Sequence, residues 1–400
     1  MEYKFSDRIS SLKPSAIREI FKVLGDPSII SFAGGNPAPE SFPAKEMSAI
    51  AADLLANHAD VALQYGTTEG YTPLRELTFA RYHDKYGIGT EHDDILITTG
   101  GQQAIDLAAK VLLNEGDVLI CEDPSFIGAL NAFRSYNAKL IGCETDEHGM
   151  KMDVLEHLLQ TTKNVKMIYT IPTFQNPSGK VLPEDRRKRM LELAEQYDVL
   201  ILEDNPYFEL RYDGAYVKPI KCFDTTGRVI YCGSYSKVLS PGMRIGFSIA
   251  PEEIFSKMVV CKQTNDVHTN LCFQMIVAEY LRQYDLDAHI QEICGIYRRK
   301  RDAMLAAIDA SFDSRVTVTR PQGGLFLWAE LPQGCDGFQL CQRATARKVA
   351  AVPGVTFAAD ESIVSSGIRL NFSMPTEEQI YKGIGILAET IQEYLGERKK

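Results

Sequence analysis

The stretch VIYCGSYSKVLSPGMRIGFSIA, residues Val229–Ala250, contains two apolar runs, VIYCGS and RIGFSIA, joined by a polar turn. Five similar runs precede it and alternate with helical patterns: Ile95–Thr98, Val118–Cys121, Lys139–Cys143, Met167–Pro172 and Val199–Asp204. Strands that are apolar along their whole length are typical of a sheet covered by helices on both faces. The pattern therefore predicts an α/β fold with a mostly parallel, seven-stranded sheet.

The last hundred residues have a different pattern. The segments VTVT, GLFLWAEL and GIRLNF are strand-like and lie between helical stretches, which is typical of an α+β layer. Four hundred residues exceed what one hydrophobic core usually fills. We therefore expect a large domain over residues 46–300 and a smaller α+β domain over residues 301–400. Residues 1–45 are expected to form an N-terminal arm and part of the smaller domain.

Composition excludes several classes of protein. The net charge is −10 with mixed signs, and no basic stripe is present, so we expect no nucleic-acid partner. No apolar run is long enough for a membrane helix, so no membrane partner is expected. Nine scattered cysteines without a CxxC pair, after an N-terminus without an apolar signal region, predict a reduced, cytoplasmic protein. The seven histidines follow no metal-site pattern, so no metal is expected.

The segment Gly233–Phe247 combines groups that a phosphate and a carbonyl compound need. Ser234 and Ser236 precede Lys237, and Arg244 follows it. Hydroxyls and a guanidinium bind oxyanions, and a buried lysine beside other cations has a lowered pKa, which favours imine formation. The alternative is a surface turn with an incidental lysine.

A second candidate element is the glycine pair Gly100–Gly101, between an apolar strand and an amphipathic helix. Glycines at such a turn let backbone amides approach a phosphate at the helix N-terminus. The pattern is not GxGxxG, which disfavours a dinucleotide. A plain strand–helix turn is the alternative.

Polar residues also follow two other apolar runs. Asp204 ends the run VLILED, at the edge where α/β sheets place ligand-binding groups, and Tyr207 follows it. A carboxylate there can keep a pyridine nitrogen protonated. Asn176 lies in the Pro/Gly turn of IPTFQNPSG. A helix cap for Asp204 and a turn-forming Asn-Pro for Asn176 are the alternatives.

Together these motifs resemble the aspartate-aminotransferase-fold (fold type I) enzymes that use pyridoxal phosphate (PLP), in particular the α-aminoadipate and kynurenine aminotransferase subgroup of class I/II. The resemblance runs through nearly the whole chain, in the segments SAIREIFKVL, ISFAGGNPAPESFP, ALQYGTTEGYTPLRE, ITTGGQQAIDL, IPTFQNPSGK, LEDNPYF, GSYSKVLSPGMRIGF, TRPQGGLFLW and GIRLNFS. It implies an aspartate-aminotransferase-like large domain, PLP as cofactor and aminotransferase activity.

The resemblance also implies cofactor roles for matching residues. Lys237 is expected to form the Schiff base with PLP and to move the proton from the substrate α-carbon. Asp204 is expected to pair with the pyridine nitrogen, and Asn176 and Tyr207 with the ring oxygen. Phe126, where relatives often have Tyr, is expected to stack on the ring. The phosphate is expected to be bound by hydroxyl, guanidinium and backbone groups: Ser234, Ser236, Arg244, Gly101 and Gln102.

Four further residues match substrate and subunit positions in the family. Arg369 is expected to bind the substrate α-carboxylate, with Asn176 and Gly35 nearby. Tyr65 is expected to reach the phosphate bound by the other subunit, which implies a homodimer with composite active sites. Arg18, on an N-terminal amphipathic helix, is expected to contact a distal carboxylate of the substrate. The alternatives are a strand arginine in a salt bridge for Arg369, a packed loop aromatic for Tyr65 and a solvated surface arginine for Arg18.

The resemblance leaves the reaction and the substrate open. The expected substrates are an L-amino acid and a 2-oxo acid such as 2-oxoglutarate. The donor could be 2-aminoadipate, glutamate, or an aromatic or branched-chain amino acid. A PLP-dependent β-lyase on the same fold is an alternative. An aminotransferase-like regulator domain is disfavoured, because only about 30 residues precede the ISFAGG segment and the net charge is negative.

Overall fold

The computed structural model describes residues 3–10 and 26–397. Its strands are β1 (Ile30–Ser31), β2 (Asp93–Thr98), β3 (Val118–Asp123), β4 (Lys139–Asp146), β5 (Gly149–Met150), β6 (Val165–Thr170), β7 (Leu200–Asp204), β8 (Val229–Ser234), β9 (Gly246–Pro251), β10 (Thr317–Val318), β11 (Phe326–Glu330), β12 (Val349–Ala350), β13 (Val352–Pro353) and β14 (Gly367–Asn371).

The α-helices are α1 (Asp7–Ser10), α2 (Ala44–Asn57), α3 (Ala59–Ala62), α4 (Thr72–Tyr86), α5 (Gly101–Leu112), α6 (Ile127–Arg134), α7 (Met152–Thr161), α8 (Glu184–Gln196), α9 (Glu252–Gln263), α10 (Leu271–Gln283), α11 (Leu286–Ser311), α12 (Gly337–Ala346) and α13 (Glu377–Glu397). Short 3-10 helices cover Pro39–Ser41, Ile220–Phe223, Pro241–Met243 and Gly354–Phe357. No helix within these described residues is both long and apolar enough to cross a membrane.

The largest sheet has the strand order β2-β9-β8-β7-β6-β3-β4-β5. Strands β4, β3, β6, β7 and β8 pair in parallel, and β9 runs antiparallel to both of its neighbours. Each of the seven predicted strands is present, which confirms the α/β prediction. The two-residue β5 was not predicted, because a strand that short has no apolar run to mark it.

Because several neighbouring strands of the large sheet run parallel, their carboxyl ends lie at one edge of the sheet. Strands β7 and β8 are adjacent, and both are buried along nearly their whole length. They end at Asp204 and Ser234, respectively. In sheets of this kind ligands bind at the carboxyl ends of the strands. The pairing of β7 with β8 therefore brings a carboxylate and a hydroxyl to the same ligand-binding edge.

The C-terminal part of the chain forms a second, antiparallel sheet in the order β10-β11-β14-β13. Strand β1 pairs in parallel with β12, so the segment after residue 30 lies against the C-terminal part. If residues 1–45 contribute to the smaller domain, as predicted, they must contact it, and this pairing is such a contact. The boundary at residue 300 lies inside helix α11, which continues from Leu286 to Ser311 without a break. The domain limits themselves stay a prediction.

Candidate active site

A cavity of about 380 Å³ lies at the carboxyl edge of the large sheet. The predicted site residues that line it are Gly35, Gly101, Gln102, Phe126, Asn176, Asp204, Tyr207, Ser234, Ser236, Lys237, Arg244 and Arg369. Apolar side chains that the sequence did not single out complete the wall: Ile105, Ile127, Ile171, Phe326 and Phe357. Residues predicted from separate motifs therefore share one concave surface.

Lys237 lies in the turn that follows β8. Its Nζ donates a hydrogen bond of 2.9 Å to the backbone oxygen of Gly35. Burial lowers the pKa of Lys237 to about 8, and the positive charges of Arg369 and Arg244 contribute in the same direction. With a pKa of about 8 the amine is still mostly protonated at pH 7, but its uncharged fraction, about a tenth, is far larger than that of an ordinary lysine, which makes it a better nucleophile.

Asp204 presents a buried carboxyl group to the same cavity. Burial raises its pKa to about 7, although the Tyr169 hydroxyl and the Lys237 charge both act to lower it. The Tyr169 hydroxyl donates to Asp204 Oδ2 over 2.8 Å. A buried carboxylate of this kind is stabilised by a cationic ligand group, because burial has removed most of its hydration.

Oxyanion-binding groups gather where α5 begins. Ser234 Oγ donates to Ser236 Oγ over 2.8 Å, and Arg244 has a left-handed backbone with φ of 57°. The Arg244 guanidinium donates to the backbone oxygen of Thr99 over 3.1 Å. Gly100 has φ of 77°, and a Cβ there would lie 2.1 Å from Arg244 Nη2. Only glycine allows this approach of the guanidinium to the helix N-terminus, which is a favourable site for a phosphate.

A buried lysine supports this turn from behind. Lys262 Nζ donates to Gln103 Oε1 over 2.8 Å and to both oxygens of Asp266, at 2.8 and 2.9 Å. Thr99 Oγ1 also donates to Asp266, over 2.8 Å, and the Thr99 amide donates to Gln103 Oε1. Lys262 was not predicted to support the site, because Gln103 lies 159 residues away along the chain, although Asp266 is only four residues away. The network fixes the backbone immediately before Gly100.

Arg369 lies on β14 between two aromatic rings, with its guanidinium carbon 4.3 Å from the Phe326 ring centre and 4.9 Å from the Phe357 ring centre. It donates to Asn176 Oδ1 over 2.8 Å and to the Ala33 backbone oxygen over 2.7 Å. Its buried Nε has no hydrogen-bond acceptor among the described residues. An oriented guanidinium with an unused donor suits a bound carboxylate.

The loop that carries Asn176 is attached to the sheet by Glu122, a buried residue of β3. Glu122 accepts hydrogen bonds from the Thr170 hydroxyl at 3.1 Å and the Ile171 amide at 3.0 Å. Burial raises the pKa of Glu122 to about 7. Gln175, next to Asn176, donates to the Pro124 backbone oxygen over 2.8 Å. These bonds hold the loop in position beneath Arg369.

Two aromatic residues and one amide complete the predicted cofactor set. Phe126 immediately precedes helix α6, and Gln102 donates to the Gly128 backbone oxygen over 2.8 Å. The Tyr207 ring packs edge-on against Phe326, with ring centres 5.7 Å apart. Burial raises the pKa of Tyr207, so its hydroxyl remains protonated at neutral pH.

One predicted residue that the structure describes, Tyr65, does not line the cavity. Tyr65 is 80% exposed and contacts the His268 ring edge-on, at 5.8 Å between ring centres. A residue that contributes to the active site of another subunit is expected to be exposed in the isolated chain. Arg18 lies outside the described residues. Groups of three or more potential metal ligands are absent from residues 3–10 and 26–397.

Comparison with known proteins gives the class of the chain first. Residues 28–387 match the family Aminotransferase class I and II. The chain belongs to this family, and its members use PLP. The predicted aspartate-aminotransferase-like fold is thereby confirmed, as is the predicted aminotransferase class of the enzyme.

The chain is similar to several individual members of this family. The chain is 46% identical to aromatic-amino-acid aminotransferase 1 of Thermococcus litoralis, over 98% of this chain and 95% of that one. It is 44% identical to the kynurenine aminotransferase of Pyrococcus horikoshii, solved with PMP, with a TM-score of 0.94 and coverage of 98% and 97%. It is 38% identical to the α-aminoadipate aminotransferase of Thermus thermophilus, solved with N-(5'-phosphopyridoxyl)-L-leucine, with a TM-score of 0.89 and 98% of both chains covered.

The residues present fit PLP. One cavity contains a buried lysine with a lowered pKa, a buried carboxylate with no cation in contact among the residues that the structure describes, and hydroxyl and guanidinium groups at a helix N-terminus. These are the groups that an aldehyde, a pyridine nitrogen and a phosphate respectively require.

Proposed function

We propose that the chain transfers the amino group of an L-amino acid to a 2-oxo acid such as 2-oxoglutarate. The observation that carries the proposal is the position of Lys237, whose weakly basic amine shares one cavity with Asp204 and with the unused Nε donor of Arg369. An amino acid whose carboxylate pairs with Arg369 would have its α-carbon within the same cavity as this amine.

Each side chain has a defined task in this proposal. Bound PLP supplies an electron sink for the charge that develops when the α-proton leaves. Lys237 would hold the cofactor and move the proton at the substrate α-carbon, and Asp204 would hold the proton of the ring nitrogen. Asn176 and Tyr207 would bind the ring oxygen, and Phe126 would cover the ring. The phosphate would be bound by Ser234, Ser236, Arg244, Gly101 and Gln102.

The substrate carboxylate would be bound by Arg369, with Gly35 and Asn176 beside it. Stacking between Phe326 and Phe357 fixes the plane of the guanidinium before the substrate arrives, which lowers the entropy that binding costs. The same two rings exclude water from the ion pair and so strengthen it.

Labelling of Lys237 tests the proposal. Purified protein supplied with PLP is treated with borohydride and digested, and a pyridoxyl group is expected on Lys237. Because the amine must be uncharged to react, the rate of PLP addition should rise as the pH increases through about 8. The Lys237→Ala variant is the control and should not be labelled. A label on another lysine, or release of pyruvate and ammonia without amino transfer, would overturn the proposal.

The donor is tested through Arg18. If its guanidinium meets a distal carboxylate, Arg18→Ala should lower kcat/KM for 2-aminoadipate or glutamate by about 10- to 100-fold, with much less effect on leucine or phenylalanine. A panel of these donors with 2-oxoglutarate and pyruvate as acceptors provides the measurement. Equal losses for both kinds of donor would assign Arg18 a structural role.

A further inference from the structure

Tyr169 and Asp204 lie on neighbouring strands and on the same face of the large sheet. Tyr169 of β6 pairs with Leu202 of β7, and Asp204 is two residues further along β7. Side chains two residues apart in a strand share a face, so Asp204 is the diagonal neighbour of Tyr169. The ring of Tyr169 spans this distance, and its hydroxyl donates to Asp204 Oδ2 over 2.8 Å.

This contact is the sole hydrogen bond to the Asp204 carboxylate that the described residues provide. The other polar or charged groups that face Asp204 are Lys237, in the turn after β8, Cys232, which pairs with it on β8, and Tyr207, in the segment after β7. Burial raises the pKa of Tyr169 well above its usual value, so the hydroxyl is a donor at every physiological pH.

We propose that Tyr169 is a positioning residue for the cofactor, whose hydroxyl stabilises the ionised form of Asp204 and directs its second oxygen into the cavity. The inference rests on the proposed role of Asp204 as partner of the ring nitrogen. Tyr169 is fully buried and packs edge-on against Phe133, with ring centres 5.3 Å apart. Packing would be preserved by phenylalanine, whereas the hydrogen bond would not.

The test is the dissociation constant of PLP from the apo-protein, measured by equilibrium dialysis between pH 5.5 and 9 for Tyr169→Phe and wild type. A carboxylate that has lost its donor ionises at higher pH. The ratio of the two dissociation constants is therefore expected to reach about tenfold at the acidic end, equivalent to about one pKa unit, and to shrink towards the alkaline end. Lys237 and the cofactor titrate in both proteins, so their contributions to the pH dependence cancel in the ratio.

Tyr231→Phe is the matched control. Tyr231 is also fully buried, lies on β8, and has a hydroxyl without a hydrogen-bond partner among the described residues. It should bind PLP like wild type at each pH. A Tyr169→Phe ratio that is near one throughout, or that is constant with pH, would overturn the inference and leave Tyr169 a core residue.

The Asp204→Asn background separates this inference from the proposed function. The asparagine at position 204 cannot ionise, so adding Tyr169→Phe in that background should produce no pH-dependent loss of PLP affinity. A pH-dependent loss that persists there would contradict the inference alone. If Asp204→Asn itself bound PLP as tightly as wild type, the proposed role of Asp204 would fail instead.

Discussion

Lys237 and Asp204 both have pKa values displaced towards neutrality, and burial is the largest cause for each. Burial destabilises the charged form of both groups, so in the apo-protein their ionisation costs the folded state free energy. Perturbed groups of this kind gather at functional sites because catalysis needs them. The folded apo-protein should therefore become more stable when one of these groups is replaced by a neutral one.

Asp204→Asn tests this trade-off. The pKa of Asp204 is raised from 3.8 to about 7, so its favourable contribution to folding is complete only below the ordinary aspartate pKa. That contribution is lost as the pH rises through about 7. At pH 8 the apo-variant should be more stable than wild type, on the order of 2–4 kcal/mol, and at pH 4 the two should be similar.

Urea unfolding of both apo-proteins at the two pH values provides the measurement for Asp204→Asn. Turnover should change in the opposite direction to stability. It should fall by about 100-fold or more, because a positioned charged partner is lost. A variant that gains no stability at pH 8, or one that retains near-normal turnover, would contradict the assignment of this carboxylate.

At the scale of elements, the turn between β2 and α5 is expected to determine phosphate affinity. Gly100→Ala adds a Cβ that would meet Arg244 Nη2 at 2.1 Å, on a backbone with φ of 77°. Displacement of the guanidinium should raise the dissociation constant of PLP at least about tenfold, since a charge-assisted hydrogen bond is lost. Binding of pyridoxal, which has no phosphate, should change little.

Gly116→Ala is the control for Gly100→Ala. Gly116 also has a positive φ, of 84°, but a Cβ there would meet nothing within 4 Å. It should therefore show the backbone strain without the loss of PLP affinity. Equal effects of the two substitutions on PLP, or an equal loss of pyridoxal binding, would show that strain rather than the Arg244 contact is responsible.

Elements were easier to predict than contacts between them. Strand β8 and the turn to Lys237 were visible in the sequence, because an apolar run and a cluster of hydroxyl and cationic residues are local signals. The bonds of Lys262 to Gln103 and of Tyr169 to Asp204 join residues 159 and 35 positions apart. Only the sheet order brings such pairs together. Tyr169 does lie in the predicted run Met167–Pro172, but its contact with Asp204 could be inferred only once their strands were known to be neighbours.

At the scale of the whole molecule, the two segments that Tyr65 joins through its contact with His268 contain further exposed apolar residues. Leu63 is 72% exposed and Tyr65 80%, and Val267 and Phe273 are also exposed. Val267 has φ of 66°, an unusual conformation for a β-branched residue. Backbone strain of this kind persists where surrounding structure compensates for it. We infer that this surface is covered by a second copy of the chain, with Tyr65 reaching the partner's site.

Subunit mixing tests this shared site. Tyr65→Ala and Lys237→Ala proteins should each be nearly inactive alone. A hybrid dimer has one site with both residues intact, so random mixing should restore about a quarter of wild-type activity. The control is a chain with both substitutions mixed with a Lys237→Ala chain, which creates no intact site. Hybrids that form but recover no activity would contradict a composite site.

Two hydrogen bonds described above have a consequence for the synthesis of the protein. Lys237 bonds to Gly35 across 202 residues, and Arg369 bonds to Ala33 across 336 residues. Contacts this distant along the chain form late, because their loops must close first. A ribosome must complete strand β14 before the segment around Ala33 can take its final place. Assembly of the substrate-binding site around Arg369 therefore requires synthesis to pass β14, and a product truncated before β14 would lack the clamp for its substrate.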